Sequence, residues 1–190
     1  MQSRMAAVLV ALYQSRQPDH AGRWVIPLTL RPPTMVHHGG QISLPGGRIE
    51  PGETPQQAAE REYLEELGLP PLTQQWLGTL STQYVFGSDH LVQPQVAILK
   101  TPESDWRPNP LEVAQVMEVP LAALVNRENR KTIRRRRRVR AVSTQNEPVN
   151  TVLGFHFSIP VISVGPHRIW GATAMILDEL AQCLLQCQAD

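Results

Sequence analysis

Behind Arg4 the chain runs without a polar interruption through Met5-Ala-Ala-Val-Leu-Val-Ala-Leu12. The run lacks the small-residue cleavage site of a signal peptide and reads as a first buried strand over 5–13. Further stretches rich in Val, Ile and Leu predict strands near 24–31, 75–82, 92–100, 112–119 and 151–163. Between them the apolar spacing changes to that of a helix: Ala59, Tyr63 and Leu67 recur every four residues, with Leu64 beside them. Thr54 is placed as N-cap, Pro55 suits the first helical position, and Gln57 completes a Thr-x-x-Gln capping box. Gly68 supplies the left-handed stop, so a helix is predicted over 55–67. Two more are predicted over 120–126 and 168–186. The last carries a stripe of Ile169, Ala172, Ile176, Leu180 and Leu184. Proline-rich links at 18–22, 70–71 and 102–110 interrupt the pattern without dividing it. The expected architecture is α/β: one domain over 1–190 with a mixed sheet and helices on both its faces.

The other face of the 55–67 helix is acidic. Glu62, Glu65 and Glu66 lie at i, i+3 and i+4, where like charges repel and weaken a helix. Such a cluster makes sense around a hard divalent cation such as Mg²⁺, which takes oxygen ligands and bridges to phosphates. An amphipathic surface helix with a solvated acidic face is the plain alternative. It leaves the Gly46-Gly47 turn, Glu53 and Arg61 unexplained.

Composition adds little to this picture except in charge and cysteine. Cys183 and Cys187 both fall in the predicted last helix, which argues against a disulfide framework or a zinc site. They suit a reducing, cytoplasmic compartment. No apolar run reaches transmembrane length, so no membrane partner is expected. The formal net charge of +1 hides an asymmetry. Residues 127–140 hold nine basic side chains, including Arg134 to Arg138, against the single acid Glu128. The rest of the chain is left at −7. This segment is expected as a basic loop insertion at about 126–148, solvated and mobile, or else serving as a clamp for a polyanionic substrate or a nucleic-acid patch. No aromatic residues interleave its arginines, so base stacking there has no support.

The order Gly47, five residues, Glu53, seven residues, then Arg61-Glu62-Tyr-Leu-Glu65-Glu66-Leu-Gly68-Leu69 resembles the Nudix box. Tyr63 is the one departure, standing where that family carries an aliphatic residue, and is read as a packing variant. The resemblance implies an α/β/α sandwich that hydrolyses a nucleoside diphosphate-linked substrate with Mg²⁺ or Mn²⁺. On it Glu62, Glu65 and Glu66 become inner metal ligands, the Gly46 carbonyl a further one, and Glu53 a ligand directly or through water. Arg61 is expected to orient Glu53 or a neighbouring carboxylate, since a guanidinium grips carboxylates with two bonds. Glu65 or Glu66 within the box, or Glu112 outside it, is the expected general base.

The segment before the box is similar to the signature of coenzyme A pyrophosphatases within that superfamily. Thr29, Arg31, Gly40, Pro45, Gly46 and Gly47 keep its spacing, whereas Pro27, Pro32, Val36 and Leu44 depart from it. Losing a cation at Val36 matters most for a polyanionic substrate, and His37 and His38 follow it immediately. Residues 111–121 and 168–176 also look like later segments of that family, so the resemblance runs from about 25 to 180. It implies coenzyme A, cleaved to adenosine 3′,5′-bisphosphate and 4′-phosphopantetheine, with Arg31, Gly40, Gln41, Gly47 and His38 as substrate-binding residues. Arg134 and Arg136 would join them if the arginine run folds over the site.

Other substrates remain open: ADP-ribose, dinucleoside polyphosphates or an oxidised nucleotide. So do a silent Nudix-fold module, an RNA-binding role for the arginines, and a homodimer. Trp24, Trp76, Trp106, Trp170 and Phe86 could stack on adenine, but core packing is the default for each.

Overall fold

The computed structural model describes residues 4–35, 39–142 and 148–187. The first half contains β1 (Arg4–Gln14), β2 (Trp24–Leu30), β3 (Ile42–Ser43), β4 (Gly46–Arg48) and α1 (Pro55–Leu67). Then come β5 (Thr73–Thr79), β6 (Gln83–Val85), β7 (His90–Leu99), β8 (Gln115–Pro120) and α2 (Leu121–Val125). The chain finishes with β9 (Arg130–Val142), β10 (Pro148–Val164), β11 (His167–Trp170) and α3 (Gly171–Cys187).

Burial on both faces explains why β1 shows no polar alternation. Ala7, Leu9, Ala11 and Tyr13 pack with Ala58, Ala59, Tyr63 and Leu67 of α1. Ala6, Val10 and Leu12 face the opposite side, with Ala174, Ile176, Leu177 and Leu180 of α3. Each fully buried aliphatic chain contributes roughly 1.5–3 kcal/mol. The layers are therefore helix, sheet, helix, as expected.

The sheet is mixed and eight-stranded. β1 runs parallel to β7 from Arg4 opposite His90 to Leu12 opposite Ile98. It pairs antiparallel with β4 at Ala6–Val8 and with β2 at Tyr13 and Gln14. β2 continues outward to pair with β3 and β8. Two short strands thus bring the Gly46-Gly47 turn against the first half of β1, beside α1.

Helix α1 has the bounds and caps its sequence specifies. Gln57 N–H donates to Thr54 Oγ1 at 3.2 Å, and Thr54 N–H donates to Gln57 Oε1 at 2.9 Å. Gly68 closes it at φ 71° with its N–H on the Leu64 carbonyl. Tyr63 is 1% exposed and packs edge-on to Trp106, ring centroids 6.2 Å apart. The aromatic variant in the box is a core residue.

Three expectations change. The last helix starts at Gly171, not 168: Ile169 reaches the core from strand β11, and Gly171 at φ 70° turns the chain into the helix. Glu112 precedes β8, in a turn where its N–H and that of Val113 donate to the Asn109 carbonyl. The arginine run is strand, not loop. β9 pairs with β10 from Arg130 opposite Ile162 to Val142 opposite Pro148. Both strands belong to a separate three-stranded sheet in the order β11-β10-β9, and its exposed Arg134, Arg135 and Arg136 show no hydrophobic alternation that could announce a strand. His38 and its neighbours 36–37 lie outside the described residues.

Candidate active site

Helix α1 turns Glu62 and Glu66 toward β4 and leaves Glu65 in solvent. Glu66 is 5% exposed, and the Glu65 side chain is 53% exposed. Gly47 sits so close to Glu62 that a Cβ there would lie 2.3 Å from its carboxyl carbon. The absence of a side chain at position 47 is what admits this carboxylate.

Arg61 ties the cluster together. Its Nε donates to Glu53 Oε1 at 2.8 Å and its Nη2 to Glu53 Oε2 at 3.1 Å. Nη1 reaches Glu62 Oε1 at 2.9 Å and Glu65 Oε2 at 3.2 Å, and Nη2 also donates to the Arg48 carbonyl. The hydrogen bond from Arg61 leads in holding Glu53 below the ordinary carboxylate range, helped by the backbone at Glu50.

The buried pair behaves differently. Burial pushes Glu62 up, against the pull of Arg61 and with help from the charges of Glu65 and Glu112. Burial pushes Glu66 up to about 8; Arg31 opposes this, and Glu62 and Glu112 add to it. Arg31 Nη2 stands 3.8 Å from Glu66 Oε1, while Glu66 Oε2 is buried without a hydrogen-bond partner. An orphaned carboxylate oxygen is costly.

Backbone bonds bring the remaining pieces in. Arg31 N–H donates to the Gln41 carbonyl and Gly40 N–H to the Arg31 carbonyl, so Arg31, Gly40 and Gln41 close the base of one loop. Arg107 N–H donates to the Leu67 carbonyl at 3.0 Å and Asn109 N–H to the Glu66 carbonyl at 3.3 Å. These cover carbonyls that a helix end leaves open, and they pin the loop bearing Glu112 near the acidic face. Sequence reasoning nominated Glu112 but missed this docking, which joins backbone groups about forty residues apart and has no side-chain signature.

A cleft of about 410 Å³ adjoins Gly46 and is lined by Arg31, Gln41, Val8, Leu44, Ile176 and Trp170, among others. Arg134 and Arg136 do not line it. Both are exposed on β9, opposite Ser158 and His156. The default of core packing holds for Trp76 and Trp106 but not for Trp24, Trp170 or Phe86, which are exposed.

Among the described residues no three His, Cys, Asp or Glu side chains converge as a ready metal cage; Arg61 stands among Glu53, Glu62 and Glu65. The donor set still fits a hard divalent cation. It is all oxygen, and the unpartnered Glu66 Oε2 is the kind of atom an ion would satisfy. No helix among the described residues is long and apolar enough to cross a membrane.

A capped acidic helix set against a glycine turn offers oxygen donors of the kind that hold a hard cation beside a phosphate. The chain belongs to the Nudix family, whose NUDIX domain model matches residues 3–141. It is similar to the mitochondrial coenzyme A diphosphatase NUDT8 of Homo sapiens, 32% identical over 94% of this chain and 69% of that one. The uncharacterized Nudix hydrolase NudL of Photorhabdus laumondii is also 32% identical, over 95% of this chain and 84% of its own. Among solved structures, a Nudix hydrolase from M. smegmatis, RenU, aligns with a TM-score of 0.51 at 29% identity, covering 63% of this chain and 72% of that one. The family acts on nucleoside diphosphate-linked substrates and generally uses divalent metal ions, and this chain is a pyrophosphohydrolase of that family.

Proposed function

We propose that the substrate is coenzyme A or a derivative, cleaved at its diphosphate to adenosine 3′,5′-bisphosphate and 4′-phosphopantetheine. The observation that carries this reading is the placement of Arg31, Gly40 and Gln41, from the segment before the box, on one loop base beside Glu66. The likeness to a relative named coenzyme A diphosphatase supports it.

Glu62 and Glu66, with Glu65, Glu53 and the Gly46 carbonyl, would hold Mg²⁺ or Mn²⁺. When bound, the ion supplies Lewis-acid stabilisation of phosphoryl charge and a more acidic water. Arg61 holds Glu53 and Glu62 in place through its fork, and Arg31 offers its guanidinium to a phosphate at the cleft. Of the three nominated bases, Glu112 is favoured. It is exposed, it sits on a pinned loop, and its charge is felt at both Glu62 and Glu66. Glu112→Gln should therefore lower kcat on the order of 10²-fold with KM little changed.

Arg61→Lys should cost on the order of 10- to 100-fold in activity, because an ammonium cannot span Glu53, Glu62, Glu65 and the Arg48 carbonyl together. Activity within about twofold of wild type would remove Arg61 from its positioning role. The decisive assay is a substrate panel with Mg²⁺ and Mn²⁺: coenzyme A, its acyl and oxidised forms, ADP-ribose, a dinucleoside polyphosphate and NADH. Coenzyme A should give the highest kcat/KM, and a clear preference for ADP-ribose would overturn the assignment. Mn²⁺ should also raise Tm by mass action, and Glu66→Gln should abolish that rise.

A further inference from the structure

Successive side chains of a strand point to opposite faces, and at the end of β11 this separates two large apolar residues. Ile169 is fully buried in the core, while Trp170 turns outward and is 47% exposed. The indole is not left on open surface. It lines the cleft whose other walls include Val8, Ile42, Leu44, Val92 and Ile176. Arg31, beside Glu66, lies in the same lining, so the cleft joins the carboxylate site to the aromatic ring.

An aromatic side chain among aliphatic walls, with polar Gln41, Ser43 and Thr173 and the cation Arg31 in the same lining, suits a flat ring with polar edges joined through a sugar to phosphate. A nucleobase has that form. The pantetheine arm does not: it is long and flexible, and ordering it in the cleft costs more conformational entropy than seating a rigid base. ADP-ribose and diadenosine polyphosphates likewise carry adenine one ribose away from their phosphates.

We propose that Trp170 is a specificity-determining residue whose indole stacks on the adenine of the substrate inside this cleft, with Arg31 toward the linking phosphate. The inference rests on the reading of the chain as a hydrolase of adenine-bearing diphosphates, and it does not require coenzyme A in particular.

The test uses the whole protein in Mg²⁺ buffer, titrated separately with adenosine 3′,5′-bisphosphate and with 4′-phosphopantetheine while tryptophan fluorescence is followed. Adenosine 3′,5′-bisphosphate should quench the wild type and leave Trp170→Phe unquenched; 4′-phosphopantetheine should quench neither. Trp170→Ala should raise KM on the order of tenfold with kcat nearly unchanged, and Trp170→Phe should recover part of the loss. Thermal melts of both variants check that they fold. Quenching by 4′-phosphopantetheine alone, or a fall in kcat at constant KM, would overturn the proposal. If ADP-ribose is hydrolysed and coenzyme A is not, the coenzyme A reading fails separately. The same titration with AMP then decides the stacking: quenching lost in Trp170→Phe supports it, and no quenching refutes it.

Discussion

Glu66→Gln is expected to lower kcat on the order of 10³-fold, equivalent to about 4 kcal/mol of transition-state stabilisation, in a protein that remains folded. The side chain is buried, stands 3.8 Å from Arg31, and has one oxygen with no partner. As a fold element it is a burden, which the proposed ligand role would account for. The pH dependence of the metal-free protein should carry the same signature. Folded Glu66 is raised to about 8, chiefly by burial, from the ordinary carboxylate value of 4.5. Between those values the folded state binds more protons than the unfolded one. Its contribution to stability is therefore lost as pH rises from roughly 4.5 through 8. Glu66→Gln cannot titrate there, so in EDTA its melting temperature should fall less than wild type's between pH 5 and pH 8. Turnover close to wild type with Mn²⁺ would refute the ligand assignment.

Gly46→Ala should destabilise the protein by about 3 kcal/mol or more. A Cβ at this position would lie 2.3 Å from the Ala7 carbonyl oxygen and 2.6 Å from Val8 Cα, both backbone atoms that the β1–β4 pairing holds. The residue also has φ 156°, a conformation costly for alanine. Gly47→Ala is the instructive contrast. Its Cβ would meet the Glu62 carboxylate, a side chain able to rotate away. That change should cost activity more than stability. Urea unfolding of both variants, with rates measured alongside, separates the two. A Gly46→Ala midpoint equal to wild type would contradict the close approach.

What the sequence made legible was local. Thr54, Pro55, Gln57 and Gly68 state the ends of α1 in side-chain chemistry, and the helix runs over Pro55–Leu67 as expected. The uninterrupted apolar run of β1 announced a strand covered on both sides. Strands β3 and β4 were invisible because they are two and three residues long, and β4 is built on the glycines of a turn. β9 was hidden because its pairing partner lies in β10, while its own residues advertise only charge. The acidic constellation was readable from spacing along one helix. The docking of the Glu112 loop and the walls of the Trp170 cleft depend on contacts between distant segments, which no local pattern encodes.

Arg61 has a consequence beyond orientation. By standing among Glu53, Glu62 and Glu65 it gives the chain a resident counter-charge, so the helix need not wait for an ion in order to form. In small zinc modules the chain collapses when a chelator strips its metal; here, on the proposed metal site, depletion should silence turnover and spare the scaffold. Swings in the surrounding ion pool would then throttle this catalyst reversibly, without delivering it to proteases.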